Sequence, residues 1–115
     1  MTLDAFNTCT INCDNDSMVA DMLVDSMNDQ GDLPAAFEMI QSLLDSFGAT
    51  KLTMDLDRVK RISPEALSYI FQIGKHLDRI GGRFLITNAS EAVKATLRVV
   101  RMDQMDSVTV TGDLA

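Results

Sequence analysis

Residues 51–67 read KLTMDLDRVKRISPEAL, and the order of residue types in this stretch decides the fold. Lys51–Leu56 alternates Leu52, Met54 and Leu56 with Thr53 and Asp55, the two-residue period of a strand with one buried face. A short basic loop follows, carrying Arg58, Lys60 and Arg61. Ser63-Pro64-Glu65 then marks a helix start. A serine hydroxyl accepts a backbone N–H of the first turn, and proline at the first helical position lacks an N–H that would be unpaired anyway. An acid there suits the partial positive charge of the helix N-terminus. Ala66, Ile70, Ile73, Leu77 and Ile80 recur at spacings of 4, 3, 4 and 3, flanked by Leu67 and Phe71, and Gly81-Gly82 stops the helix.

The same grammar extends outward. Downstream, Arg83–Thr87 reads as a strand with Phe84, Leu85 and Ile86. Ser90-Glu91 opens a third helix with Val93, Leu97 and Val100 inward, and Ser107–Thr111 reads as a last short strand. Upstream, Asp32 is an N-cap candidate with Pro34 in the first turn, and Asn28–Gly31 is a loop. Leu33, Phe37, Ile40, Leu44 and Phe47 form another 4, 3, 4, 3 stripe, ended by Gly48. Phe6–Cys13 and Met18–Met27 read as strands around the turn cluster Asp14-Asn15-Asp16-Ser17, hence an antiparallel hairpin; the second segment also suits a short helix. The expected order is β-β-α-β-α-β-α-β. Helix–strand alternation implies right-handed parallel crossovers, and the hairpin makes the sheet mixed. The expectation is an α/β domain over 1–115, with a mixed sheet of about five strands and three main helices.

The chain has 115 residues and a net charge of −7. Residues 1–57 hold eleven acids against one base, Lys51, whereas residues 58–115 hold nine bases against six acids. Nucleic-acid binding needs a basic footprint, so this composition argues against it. The asymmetry suits a polar protein partner or simply a solvated acidic face. The first residues have neither a basic nor an apolar leader region, and no apolar run spans a bilayer, so a cytoplasmic protein without membrane insertion is expected. Cys9 and Cys13 on one strand would lie about 13 Å apart, too far to bridge. With His76 as the single histidine, no zinc set is recognisable, and neither a metal nor a cofactor is expected. His76 reads as a surface or boundary residue with no catalytic partners, so an enzyme is not expected.

The frame LTMDLDRVKRISPEALSYIFQIGKHLDRIGGRFLITNASEAVKATL resembles the STAS domain, the module of bacterial anti-sigma factor antagonists and of sulfate-transporter cytoplasmic tails. In that family a strand ends in Asp-Leu, and an Asp-Ser-Ser/Thr-Gly-Leu motif opens the next helix. A Gly-Gly-like turn then leads into another apolar strand. Asp55-Leu56, Leu67, Gly81-Gly82, Phe84–Ile86 and Ser90 fall in step without a gap. The chain departs from the motif where the family carries its switch. Ser63 stands at the motif Asp, Pro64 at the phosphorylated Ser, Glu65 at the second Ser/Thr and Ala66 at the Gly.

The resemblance implies a regulatory protein-binding module, acting on an anti-sigma factor of the serine-kinase-like ATPase type and lacking the usual phospho-serine. The alternative it implies is an accessory subunit of a membrane transporter, an ABC system or an anion carrier. The expected contact surface is Arg58, Lys60, Arg61, Ser63, Pro64, Glu65 and Ala66. Ser-Pro-Glu is also fully explained as a helix start, while Glu65 supplies a fixed negative charge and Ser63 is a candidate for phosphorylation. Arg58, Lys60 and Arg61 before a helix N-terminus suit either an anion site or a solvated loop. A homodimer is a further candidate assembly.

Overall fold

The structure, a computed structural model, describes residues 2–28 and 31–112. It contains β1 (Thr2–Ala5), β2 (Cys9–Asp14), β3 (Ser17–Met22), β4 (Ser26–Met27), α1 (Leu33–Phe47), β5 (Lys51–Asp55), β6 (Arg61–Ile62), α2 (Pro64–Arg79), β7 (Arg83–Ala89), α3 (Glu91–Val99) and β8 (Val108–Gly112). A short 3₁₀ turn, Met102–Gln104, precedes β8. The main sheet has six strands in the order β1-β2-β3-β5-β7-β8. β1, β2 and β3 are antiparallel neighbours, and β3, β5, β7 and β8 are parallel. The mixed α/β expectation holds, with one strand more than the sequence suggests.

The extra strand is β1, Thr2–Ala5, and the segment expected as one strand, Phe6–Cys13, is a turn followed by most of β2. Phe6 and Asn7 both adopt positive φ, 57° and 60°, and the Thr8 N–H donates to the Ala5 carbonyl at 2.9 Å. The chain therefore turns over Phe6-Asn7-Thr8, with Ala5 opposite Cys9. A bulky residue at positive φ is uncommon, which is why Phe6 reads as strand. The next turn matches its sequence: Asn15, a residue that tolerates the left-handed region, takes φ 56° between the paired Asp14 and Ser17. Met18–Met27 is neither one strand nor a helix. It breaks after Met22, and Ser26–Met27 pairs in parallel with Arg61–Ile62 as a separate two-stranded ribbon.

Each parallel crossover steps the same way along the sheet, from β3 to β5 to β7 to β8. Right-handed crossovers that never reverse place α1, α2 and α3 on one face. Burial agrees. Met18, Ala20, Leu52, Met54, Phe84 and Ile86 point to that face and are at most 1 % exposed, within a single apolar cluster. Asn12, Val19, Thr53, Leu85 and Thr109 point the other way and none is buried. α1 and α2 meet through Phe37 and Tyr69, stacked at 5.3 Å, and through His76 Nε2 3.6 Å from Asp45 Oδ1. His76 is half-buried, as expected of a boundary residue.

Three details of the helices and strands differ from, or add to, the sequence reading. Asp32 occupies the cap position, but its side chain makes no cap bond; its carbonyl accepts the Ala36 N–H instead. Phe47 and Ile80 end their stripes exposed, at 48 % and 46 %, Ile80 at the C-cap just past α2. Cys9 and Cys13 are buried on β2 and no disulfide joins them. Burial first, and then the Asp21 charge, push the Cys9 thiol up to about 11, so it stays protonated and unreactive at neutral pH. The Asn28–Gly31 loop falls partly outside the described residues.

Gly82 is where α2 returns to the sheet. A Cβ there would run into the Thr50 carbonyl oxygen, which accepts the Arg83 N–H at 2.8 Å and sets the β5–β7 junction. Gly82→Ala is expected to lower stability by about 1–3 kcal/mol, the usual range for overpacking. Urea unfolding checks this, and an unchanged midpoint would contradict the close approach.

Candidate partner-binding surface at the start of the second helix

The loop from Leu56 to Ile62 is held down along its length. The Leu56 N–H donates to the Thr87 carbonyl at 3.0 Å, and the Val59 N–H to the Leu56 carbonyl at 3.0 Å. Leu56 and Val59 are buried, at 0 % and 2 % exposure. With these side chains inward, the neighbouring Asp57, Arg58 and Lys60 must face solvent, and all three do. The Lys60 and Arg61 N–H groups donate to the Asp25 carbonyl at 2.7 and 3.3 Å, and the Ser63 N–H to the Met27 carbonyl at 2.7 Å. The β4–β6 ribbon thus stitches the loop to the segment before α1.

α2 then starts as its sequence specifies. Ser63 has extended backbone, and its Oγ accepts the Ala66 N–H at 3.1 Å. Pro64 and Glu65 are exposed. Glu65 is the acid in the first turn. Ala66 is fully buried and belongs to the core, so it offers no side chain to a partner. The motif-derived surface shrinks by that residue.

The remaining positions fall into three separate places. Lys60, Arg61 and Ser63 line a groove of about 300 Å³ with Ser26, Ile62, Ala92 and Thr96. Pro64 lines a second, largely apolar groove of about 410 Å³ with Leu67, Ser68, Phe71, Val99 and Val100. Arg58 does not join the other cations. Its charge acts on Asp21, at the end of β3. Among the described residues no group of His, Cys, Asp and Glu side chains is disposed to hold a metal ion.

Sequence reasoning missed the contribution of α3 to this surface. Val99 is 80 % exposed and borders the apolar groove. Its signal is present in the chain: Val99 lies off the inward stripe of Val93, Leu97 and Val100. An apolar residue outside its helix's buried face stands in solvent. Which α2 residues it approaches depends on tertiary packing and has no local signature.

A sequence model of the STAS domain matches residues 10–113. The chain belongs to the STAS domain family. Solved structures agree on the fold. The crystal structure of TM1081 from Thermotoga maritima, a proposed anti-sigma factor antagonist, superposes with a TM-score of 0.66 at 18 % identity, covering 90 % of this chain and 86 % of that one. The NMR structure of TM1081 gives 0.64 at 21 % identity, with 88 % and 79 % covered. The anti-sigma factor antagonist SpoIIAA in its unphosphorylated form gives 0.64 at 14 % identity, with 93 % and 89 % covered. No curated relative matches the chain. Among the described residues of this STAS domain, no helix is long and apolar enough to cross a membrane.

Two outcomes follow from the local chemistry. Removing the cap in Ser63→Ala leaves the Ala66 N–H without its acceptor and is expected to destabilise the STAS domain by about 1 kcal/mol, whereas Ser63→Asp retains capping. Denaturant titrations of both variants check this. Asp21 gives a pH signature. Burial first, then the charge of Asp55, raise its carboxyl above the ordinary carboxylate range; Asp57 adds to the rise and Arg58 opposes it. A raised folded pKa means that the folded state binds more protons, so stability falls as pH rises through that window. Asp21→Asn is expected to raise the melting temperature of dilute protein at pH 7. The gain should vanish below about pH 3, where the carboxyl is protonated in both states. Melting curves across that range decide the matter.

Proposed function

We propose that this STAS domain is a non-enzymatic regulatory module that binds an anti-sigma factor of the serine-kinase-like ATPase type, with its contact surface at the start of α2. The observation that carries this reading is the exposure of Pro64 and Glu65 beside the apolar groove of Leu67, Phe71 and Val99. Such a ledge offers apolar area together with a fixed charge, the combination that gives an interface both affinity and register. The loop before it is pinned by backbone hydrogen bonds, so docking requires little ordering.

In the family's motif frame, Pro64 stands where the phosphorylated serine stands. Proline has no hydroxyl, so binding here is constitutive at that position. Ser63 is a poor substitute, because its Oγ already serves as the α2 cap. Glu65 keeps one negative charge beside that place, fewer than a phosphate would bring and with fewer acceptor oxygens. Binding would then be controlled by the amount of protein or by modification of the partner.

Pull-down with the full chain, read by mass spectrometry, identifies the partner and any phosphate on the bait. Titration calorimetry with the captured ATPase domain then compares wild type with Glu65→Lys. Charge reversal at the contact is expected to weaken binding about tenfold. Unchanged affinity would overturn this surface. Capture of a permease or an ABC-type ATPase in place of a kinase-like domain would overturn the anti-sigma reading in favour of a transporter-accessory role.

A further inference from the structure

The face of the sheet that carries no helix has an ordered charge pattern. Across its middle run Asn12, Val19, Thr53, Leu85 and Thr109, each the register partner of the next. One residue pair toward the strand starts, Lys51 and Arg83 are register partners on β5 and β7. One pair toward the strand ends, Asp21 and Asp55 are register partners on β3 and β5. Lys51 and Arg83 are exposed, and the two acids are half-buried. Over β3, β5 and β7 the face is therefore cationic at one end, acidic at the other and uncharged between, with Val19 43 % exposed near its centre, while exposed Asp14 on β2 and Asp4 on β1 add acids to its flank.

We propose that this face docks a second copy of the same chain in a two-fold, sheet-on-sheet dimer. An isologous contact must be complementary to itself. With the two-fold axis along the strands, Lys51 would meet Lys51 and Asp55 would meet Asp55. With the axis across the strands, along the middle row, strand direction reverses between copies. Lys51 of each copy then lies over Asp55 of the other, with Asp21 next to it, and Val19 and Leu85 pack on their own counterparts. Only the second arrangement pairs Lys51 with Asp55, so the charges on β3, β5 and β7 select one axis. Packed sheets stand about 10 Å apart, within reach of a lysine stem from one side and a carboxylate from the other. The partner's cations would relieve the crowding between Asp21 and Asp55, which within one chain is offset by Arg58.

This contact lies on the opposite side of the sheet from the α2 groove, so its failure is distinguishable from failure of the proposed function. The test is sedimentation velocity over a concentration series, with circular dichroism to verify folding. The wild type is expected to show a concentration-dependent dimer. Lys51→Glu and Asp55→Lys should each weaken it by tenfold or more, taking about tenfold as the effect of one reversed close pair. Mixing these two variants should restore the dimer. In the mixed pair the reversed charge at position 51 of one copy faces the reversed charge at position 55 of the other, and the unaltered Asp55 and Lys51 face each other as in the wild type. Should Asp55→Lys fail to fold, Val19→Arg, which sets like charges across the axis at an exposed position, should abolish the dimer with the fold intact. A wild type that stays monomeric throughout, or a dimer that withstands Val19→Arg, overturns the proposal. So does a mixture of folded variants that remains monomeric.

Discussion

The handedness of the crossovers is the constraint on which the rest of this molecule depends. Three successive β-α-β units step in one direction without a reversal, and right-handed connections then leave all helices on one side. In a sheet whose order reverses, helices cover both faces, and parallel strands read as continuous apolar runs. Here burial alternates instead, and in β5 polarity alternates with it. Half-buried Thr53 sits between buried Leu52 and Met54, and half-buried Leu85 between buried Phe84 and Ile86, because only one side faces a core. The rule also brings the start of α2 to the ends of β5 and β7, where the Leu56 N–H reaches the Thr87 carbonyl. Loop, helix start and open face all follow from it.

A second, smaller device turns the loop into a rigid platform. The β4–β6 ribbon has only two residues per strand, yet it uses the backbone groups of Asp25, Met27, Lys60, Arg61 and Ser63. Without it, the basic loop would lose conformational freedom on meeting a partner, at roughly 1–2 kcal/mol per residue ordered. Buried Leu56 and Val59 do the same from below. The exposed residues between them are thereby presented in one arrangement, and Ser63, Pro64 and Glu65 start α2 from a fixed point.

What is legible in the sequence is what local chemistry encodes. Ser63 and Ser90 both accept cap bonds from the residue three further on, as their positions before Pro64 and Glu91 indicate. The inward faces of α1, α2 and β5 follow from period alone. What is not legible depends on distant partners. β1 is hidden by Phe6, whose left-handed conformation no propensity suggests. The ribbon is hidden because Ser26–Met27 and Arg61–Ile62 lie 35 residues apart in sequence and each is too short to show alternation. Asp32 carries the right side chain for a cap but the wrong backbone angles, with ψ near 6° where a cap needs an extended residue. The residues from Arg58 to Ala66 form one patch in sequence but not in space. They divide because Arg58 acts toward β3, Lys60 and Arg61 face α3, and Ala66 turns into the core.

The open face raises the question of why it tolerates like charges side by side. Parallel strands in register put equivalent ends together, so Lys51 lies beside Arg83 and Asp21 beside Asp55. Like charges on neighbouring strands are destabilising, by up to about 1 kcal/mol relative to neutral pairs. Asp55 also serves its own chain, its Oδ1 accepting the Asp57 N–H at 3.0 Å and an Asn88 Nδ2–H at 3.1 Å, which holds its charge beside Asp21. After burial, that charge is the next cause that raises the Asp21 carboxyl. Such an arrangement is unfavourable within a chain and favourable between chains, and the two terms have the same origin: a row of one sign repels its own members and attracts a row of the other. The threonines and valine between the rows suit this double role, since β-branched residues hold a strand in water and pack when water leaves.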